Sequence, residues 1–173
     1  MSTVVVGPPP AELQALLDRR VRAGADRLDE VWEGVYHMVP APTGEHAVIA
    51  QQLAELLGPL ARAAALIPSM HEFNVGTSKH DFRVPDGGLH RRQPQGTWQA
   101  TAALVVEIAS PGDESWQKLP FYASHNVDEV VIINPVERGV AWLALDGGEY
   151  TKVPKSGLID LGPTELASEL DWP

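Results

Sequence analysis

The stretch Leu104-Val105-Val106-Glu107-Ile108 is the most informative part of this sequence. Together with Ala102 and Ala103 it forms an apolar run that a single acid interrupts. Such a run predicts a β-strand buried on both faces, as in the middle of a sheet. The following Ser110-Pro111-Gly112 ends the strand, because proline and glycine break regular structure.

The pattern on the carboxyl side of this strand predicts one helix and three further strands. A helix is expected over residues 113–124, with Pro120 as an unfavourable member. Residues 130–133 predict a second buried strand. Residues 140–145 and 149–153 flank Asp146-Gly147-Gly148, which indicates a C-terminal hairpin.

The amino-terminal half alternates in the same way. Helical spacing predicts a helix over residues 11–22 that stops at Gly24. Two short strands are expected over residues 31–38 around Glu33-Gly34. Thr43 is a candidate N-cap for a helix over residues 45–65, which Gly58-Pro59 would kink or split. Strands are predicted near 67–75 and 81–85, and the Gly-, Pro- and Arg-rich stretch 87–96 is predicted to be a loop.

This element order predicts an α/β (α+β) fold with a mixed central β-sheet flanked by helices. The N-terminal hairpin and the C-terminal hairpin would extend that core. The length of 173 residues fits one domain, residues 1–173, with a sizeable core.

Composition excludes several classes of protein. The sequence has no cysteine, so disulfides, thiolate zinc sites and a cysteine nucleophile are ruled out. It shows neither the start of a signal peptide nor an apolar run of roughly 20 residues, so a cytoplasmic protein is the simplest expectation.

The net charge of -10 argues against a constitutive nucleic-acid binder. Residues 79–92, with four basic and two acidic side chains, are a locally basic segment around Asp86, or simply a solvated loop.

Glu107 is the first candidate for a functional residue. An ionised carboxylate inside a buried strand costs several kcal/mol unless it is paired or binds a metal. The alternatives are that Glu107 lies at the exposed end of the strand or pairs with an arginine.

Asp86 is the second candidate. It follows Val84-Pro85, whose proline favours an extended and stiff backbone before the aspartate. Taken alone, Asp86 could equally be a turn aspartate.

Lys118 stands eleven residues after Glu107, on the predicted following helix. Such a helix packs back across the sheet and could bring one side chain to the carboxyl end of the strand, although a lone lysine usually lies on the surface. Two acids and a lysine suit phosphodiester hydrolysis, since Mg²⁺ often takes only one or two carboxylates and a lysine can offset charge. No HxxxH, HExxH, G-x-S-x-G, P-loop or G-x-G-x-x-G pattern occurs, which disfavours zinc, serine-hydrolase and nucleotide sites of those kinds.

With these residues in this order, the sequence resembles a known family, the bacterial restriction endonucleases of the Uma type. That family is a branch of the PD-(D/E)xK nuclease superfamily. The resemblance covers residues 32–150 and rests on the order and spacing of several blocks. These are Glu33-Gly34-Val35-Tyr36-His37-Met38 with Pro40-Ala41-Pro42 and His46, Arg83-Val84-Pro85-Asp86, Leu104-Val105-Val106-Glu107-Ile108-Ala109-Ser110-Pro111, Lys118-Leu119-Pro120-Phe121-Tyr122, and Ile132-Ile133-Asn134-Pro135.

The resemblance implies a restriction-endonuclease-like core in which Asp86 and Glu107 are metal ligands for Mg²⁺ or Mn²⁺. Ala109 occupies the position of the superfamily's lysine, and Lys118 on the next helix takes over that catalytic role. It further implies substrate-contacting or supporting positions, which map to Glu33, His46, Arg83 and Tyr122.

The sequence as a whole therefore predicts a metal-dependent endonuclease that hydrolyses DNA and acts as a homodimer. One alternative is a nuclease fold that has lost catalysis and serves as a dimeric binding or scaffold module. Another is a metal-dependent hydrolase of a small phosphoester.

Overall fold

The computed structural model describes residues 3–5, 10–24, 26–110, 112 and 114–173. The helices are α1 (Ala11–Ala23), α2 (Gly44–Ala63), α3 (Leu119–Ser124) and α4 (Pro163–Glu169), with a 3-10 helix at Ser115–Lys118. The strands are β1 (Thr3–Val5), β2 (Glu30–Trp32), β3 (Val35–Met38), β4 (Ile67–Ser69), β5 (Asn74–Ser78), β6 (Asp81–Arg83), β7 (Gly87–His90), β8 (Trp98–Gln99), β9 (Leu104–Ile108), β10 (Glu129–Asn134), β11 (Gly139–Asp146) and β12 (Glu149–Lys152).

The strands form two mixed six-stranded sheets, in the orders β1-β3-β2-β6-β5-β8 and β12-β11-β10-β9-β7-β4. The predicted mixed α+β fold is confirmed, with its strands divided between two sheets. The break between the sheets falls at Val84-Pro85-Asp86, between β6 and β7. Proline has no amide N–H to donate to a ladder, so the chain leaves one sheet there and enters the other.

The second sheet contains the predicted buried strand. β9 pairs in parallel with β10 and antiparallel with β7, and all five of its residues are buried. Leu104, Val106 and Ile108 pack into the core that contains α2, while Val105 belongs to the opposite core with α3. Because side chains alternate along a strand, Glu107 faces the α3 side together with Val105.

Both predicted hairpins are present. β2 and β3 pair antiparallel around Glu33 and Gly34, which adopt φ of 50° and 86°. β11 and β12 pair antiparallel around Gly147 and Gly148, at φ of 58° and 93°. Glycine enters this left-handed region without steric cost, which is why the Gly-Gly pair ends β11 sharply.

Helix α2 forms as its sequence predicts. The Thr43 hydroxyl caps it by accepting a hydrogen bond from the amide of His46 at 3.3 Å. Its buried side chains include Ile49, Leu53 and Leu57, spaced four residues apart, and they line the core next to the second sheet. Pro59 lies inside the helix, and Gly58-Pro59 does not split it.

The segment after β9 divides into two short helices. The 3-10 helix ends at Lys118 and α3 begins at Leu119, with Pro120 in its first turn. Proline is tolerated there because the amides of the first turn have no partner within the helix. The predicted start of this helix, residue 113, lies outside the described residues.

The stretch beginning at Gly87 was expected to be a loop, and this prediction is wrong for its first four residues. β7 is fully buried and pairs with β4 and β9. A Cβ at Gly88 would lie 2.5 Å from the carbonyl oxygen of Leu104 and 2.9 Å from the ring of Phe73. Glycine therefore marks a close approach of two backbones here and not a loop.

In the described part of the chain, none of the helices combines the length and the apolar character that crossing a membrane requires.

We expect Gly88→Ala to lower the free energy of unfolding by about 2 kcal/mol or more, because overpacking a dense core costs roughly 1–3 kcal/mol. The control is Gly139→Ala on β11, where an added Cβ meets nothing within 4 Å. Urea unfolding followed by circular dichroism measures both variants. Equal stability of the two variants would contradict the close approach at Gly88.

Candidate active site

Glu107 projects from β9 into the space between the second sheet and α3, and its side chain is 4% exposed. One carboxylate oxygen, Oε2, accepts a hydrogen bond from the Lys118 ammonium at 3.0 Å. The other, Oε1, accepts a short hydrogen bond from the hydroxyl of Tyr122. The buried acid is therefore satisfied by two side chains from one short segment, and both alternatives raised by the sequence fail.

Lys118 reaches the site from the last residue of the 3-10 helix. Its Nζ atom lies 3.0 Å from Glu107 and 2.9 Å from Oε1 of Glu30, and its side chain is 12% exposed. The alternative of a surface lysine is thereby excluded. Tyr122 stands one helical turn further along α3, so one face of this segment supplies both donors to Glu107.

Asp86 lies immediately before β7, at the same end of the sheet as Glu107. Its amide donates to the carbonyl of Val106, and its Oδ2 accepts the amide of Ile108 at 2.7 Å. Its Oδ1 lies 3.0 Å from Nε2 of His46. Because Gly87 pairs with Val106, Asp86 and Glu107 are the next residues on adjacent strands, which are about 5 Å apart.

Glu30 is the residue that sequence reasoning missed. It is the first residue of β2 and is 2% exposed. Its Oε1 accepts the amide of Val84 at 2.7 Å as well as Lys118, and its Oε2 accepts the indole N–H of Trp32 at 2.6 Å. The predicted strand began one residue later, at Val31, which left Glu30 outside the hairpin. Pairing of β2 with β6 holds Glu30 beside Val84, and the 3-10 helix brings Lys118 to it from a distant part of the chain.

Two other predicted positions do not reach the site. Glu33 lies in the β2–β3 turn, where its amide donates to Asp81, and it does not line the cavity described below. Arg83 is buried behind the site, with its guanidinium 4.5 Å from the ring centre of Trp32 and 4.0 Å from that of Phe121. Arg83 therefore supports Trp32, which in turn holds Glu30.

The acids and the lysine line a cavity of about 800 Å³. One wall is apolar and includes Val39, Pro40 and Ile108. The acidic lining residues are Glu30, Glu45, Glu72, Asp86, Glu107 and Glu114, against Lys118 and Arg138 as the basic ones. The cavity is therefore strongly electronegative and suits a cation.

Burial and crowding of negative charge set the protonation of this group. Burial raises the pKa of Glu107 to about 8, opposed by the Lys118 ammonium and reinforced by the Asp86 and Glu30 carboxylates. Burial lowers the pKa of Lys118, but the two glutamates outweigh this effect and leave it raised. Lys118 thus stays charged, while Glu107 favours its protonated form at neutral pH when no cation is bound.

The side chains available here suit Mg²⁺ or Mn²⁺, which can keep several waters, better than a metal ion that protein ligands enclose completely. Among the residues that the structure describes, no three or more His, Asp or Glu side chains form a cluster able to hold a metal ion. Mg²⁺, however, commonly takes one or two carboxylates and keeps several waters. Asp86 and Glu107 supply such oxygens on neighbouring strands, and each oxygen that accepts one hydrogen bond retains a second lone pair.

Comparison with solved structures shows that the fold has a known counterpart. The crystal structure of a putative nuclease belonging to DUF820 from Anabaena variabilis ATCC 29413 matches with a TM-score of 0.62 and 18% sequence identity, covering 82% of this chain and 90% of that chain. Comparison of the sequence then defines the family. The model of the Uma2 family, described as "Putative restriction endonuclease", matches residues 12–170, and the chain belongs to this family. None of the curated proteins matches the chain.

The raised pKa of Glu107 predicts how the stability of the metal-free protein depends on pH. The folded state retains a proton on Glu107 up to about pH 8, whereas the unfolded chain loses it near its ordinary value of 4.5. The folded state binds more protons in this window, so the free energy of unfolding should fall as pH rises from about 5 to 8, at about 1.4 kcal/mol for each pH unit at most.

Urea unfolding in EDTA across that window measures the effect. Glu107→Gln cannot titrate and should remove this part of the pH dependence. A constant difference in stability between wild type and variant at every pH would contradict the assignment.

Proposed function

We propose that this protein is a metal-dependent endonuclease that hydrolyses DNA phosphodiester bonds, with Asp86, Glu107 and Lys118 as its catalytic residues. The proposal rests chiefly on one observation. A buried strand acid, a strand-end aspartate and a lysine meet in one electronegative cavity, although the lysine comes from a different element. Membership of the Uma2 family and the nuclease-like fold support it.

Asp86 and Glu107 would hold the metal. A bound Mg²⁺ or Mn²⁺ lowers the pKa of water and offsets the negative charge that develops at phosphorus. A cation held there would take the place of the proton on Glu107 and would offset the charges of the Asp86 and Glu30 carboxylates. Tyr122 and His46 fix the orientation of the two ligands, since each donates to or contacts one ligand oxygen.

Lys118 would act as a fixed positive charge and not as a base. Glu107 and Glu30 raise its pKa, so it has no tendency to lose its proton near neutral pH. An ammonium held by two buried carboxylates is preorganised, and such a group stabilises charge in a transition state without reorganising. Glu30 is therefore a positioning residue in this scheme.

DNA is the substrate we infer, and a homodimer is the assembly, because cleavage of both strands of a duplex is commonly done by two-fold assemblies. The observation that favours the rival, a non-catalytic binding module, is the excess of acidic residues around the cavity. Bound metal would offset that excess. The endonuclease and the non-catalytic binding module therefore differ in whether this site binds a metal ion.

We expect Mn²⁺-dependent cleavage of supercoiled plasmid DNA by the wild type, and a loss of at least a hundredfold in Glu107→Ala and Lys118→Met. Each variant removes a group that acts directly on the reacting phosphate or its metal. Lys155→Met is the matched control, since Lys155 is an exposed lysine paired with Asp160. Equal cleavage by the wild type and Glu107→Ala would point to contamination or another site.

Metal binding separates the enzyme from its non-catalytic rival. Isothermal titration with Mn²⁺ should show binding that weakens at least tenfold in Asp86→Asn and in Glu107→Gln, because each variant removes an anionic ligand. The control is Asp146→Asn, an exposed acid at the last residue of β11. A folded wild type that binds no Mn²⁺ would overturn the metal-dependent function and leave the scaffold role.

A further inference from the structure

The two exposed arginines that follow Asp86 in the sequence, Arg91 and Arg92, do not lie near it in space. β7 runs from Gly87, opposite Val106, to His90 at the far end of β9. Arg91 follows His90 and pairs with Asp128, immediately before the start of β10, at 3.0 Å. Arg91 and Arg92 therefore lie at the end of the sheet opposite Glu107, and a DNA strand in the site needs other cations.

A second cavity adjoins the first on the side of α1. Its volume is about 680 Å³, and it shares six lining residues with the first cavity, among them Leu28, Val39 and Val84. The two cavities thus form a continuous groove that passes the catalytic residues. Arg20 and Arg27 line only the second cavity, where Glu72 is the acidic residue.

The two arginines of the second cavity differ in what they can bind. Arg20 forms a two-pronged ion pair with Asp29, so its charge is largely matched. Arg27 is exposed, and within the part of the chain that the structure describes its side chain forms no ion pair or hydrogen bond. Residues 19–27 contain four arginines and one aspartate, which makes this segment more basic than residues 79–92.

Arg138 lines the first cavity and not the second, in the turn that follows β10 at the end of the sheet where Glu107 lies. It stands in the turn between β10 and β11 with a φ of 50°, a backbone conformation that costs energy for a residue with a side chain. It is exposed, and its guanidinium donates to the carbonyl of Pro173 at 3.3 Å.

We propose that a DNA strand lies along this groove with flanking phosphates on Arg27 and Arg138 and the scissile phosphate between them, at Asp86, Glu107 and Lys118. This inference rests on the proposed function. The middle of the groove is acidic and repels a phosphate until a cation is bound, whereas each end carries an exposed arginine. The planar guanidinium fork suits phosphate oxygens, and groups at both ends would fix the register of the strand.

The test compares two double variants that remove the same charge. Arg27→Gln/Arg138→Gln removes the proposed phosphate contacts, and Arg91→Gln/Arg92→Gln removes two exposed arginines at the opposite end of the sheet. Fluorescence anisotropy with a labelled DNA duplex and Ca²⁺ in place of Mn²⁺ gives the dissociation constant over a series of NaCl concentrations. Circular dichroism confirms that the variants fold.

We expect the slope of log Kd against log salt to fall by about 2 in the Arg27/Arg138 variant, near 0.9 for each lost phosphate contact, and to stay unchanged in the other. In plasmid cleavage, KM should rise in the first variant while kcat stays within about twofold. Equal changes in both variants, or no change in the first, would overturn the inference alone. A wild type that neither binds nor cuts DNA would overturn the proposed function and the inference together.

Discussion

The carboxylate of Glu107 is the constraint around which this end of the molecule is arranged. A buried acid on a central strand destabilises the fold unless other groups satisfy both of its oxygens, and Lys118 and Tyr122 do so from the next helical segment. That requirement fixes how the 3-10 helix and α3 lie against β9. Lys118 in turn needs a second anion, which Glu30 supplies from the other sheet. One acid therefore links both sheets and the connecting helices.

Planar side chains stack behind Glu30 and hold it in position. The guanidinium of Arg83 lies between the rings of Trp32 and Phe121, and the stack continues through His37 on one side and His125 on the other. Trp32 can then present its N–H to Glu30 without freedom to turn away. Stacking of this kind restricts rotation at low cost, so the position of Glu30 depends on Trp32, Arg83 and Phe121, which do not line the cavity.

Electrostatics connects this arrangement to function. Glu30 and Glu107 share the ammonium of Lys118 and Asp86 lies nearby, so the metal-free site sets three acids against one lysine. Burial is the main cause of the raised pKa of Glu107, and the neighbouring carboxylates add to it. A divalent cation would offset the same negative charge. The overall charge of -10, which in the sequence argues against nucleic-acid binding, is compatible with a groove whose two ends carry the cations.

The amino-acid pattern was enough to predict most helices and strands and the main site residues. A continuous apolar run located the buried strand β9, helical spacing of apolar residues located α2, and glycine-containing turns located both hairpins. Glu107 stood out since an acid inside such a strand needs a partner, and the family resemblance added Asp86 and Lys118. Three features emerge only from the folded structure. Residues 87–90 form strand β7 instead of a loop, the strands divide between two sheets, and Glu30 lies in the site whereas Glu33 does not. These features depend on contacts between residues distant in the chain, such as Gly88 with Leu104 and Glu30 with Lys118. The spacing of residues within one segment cannot predict such contacts.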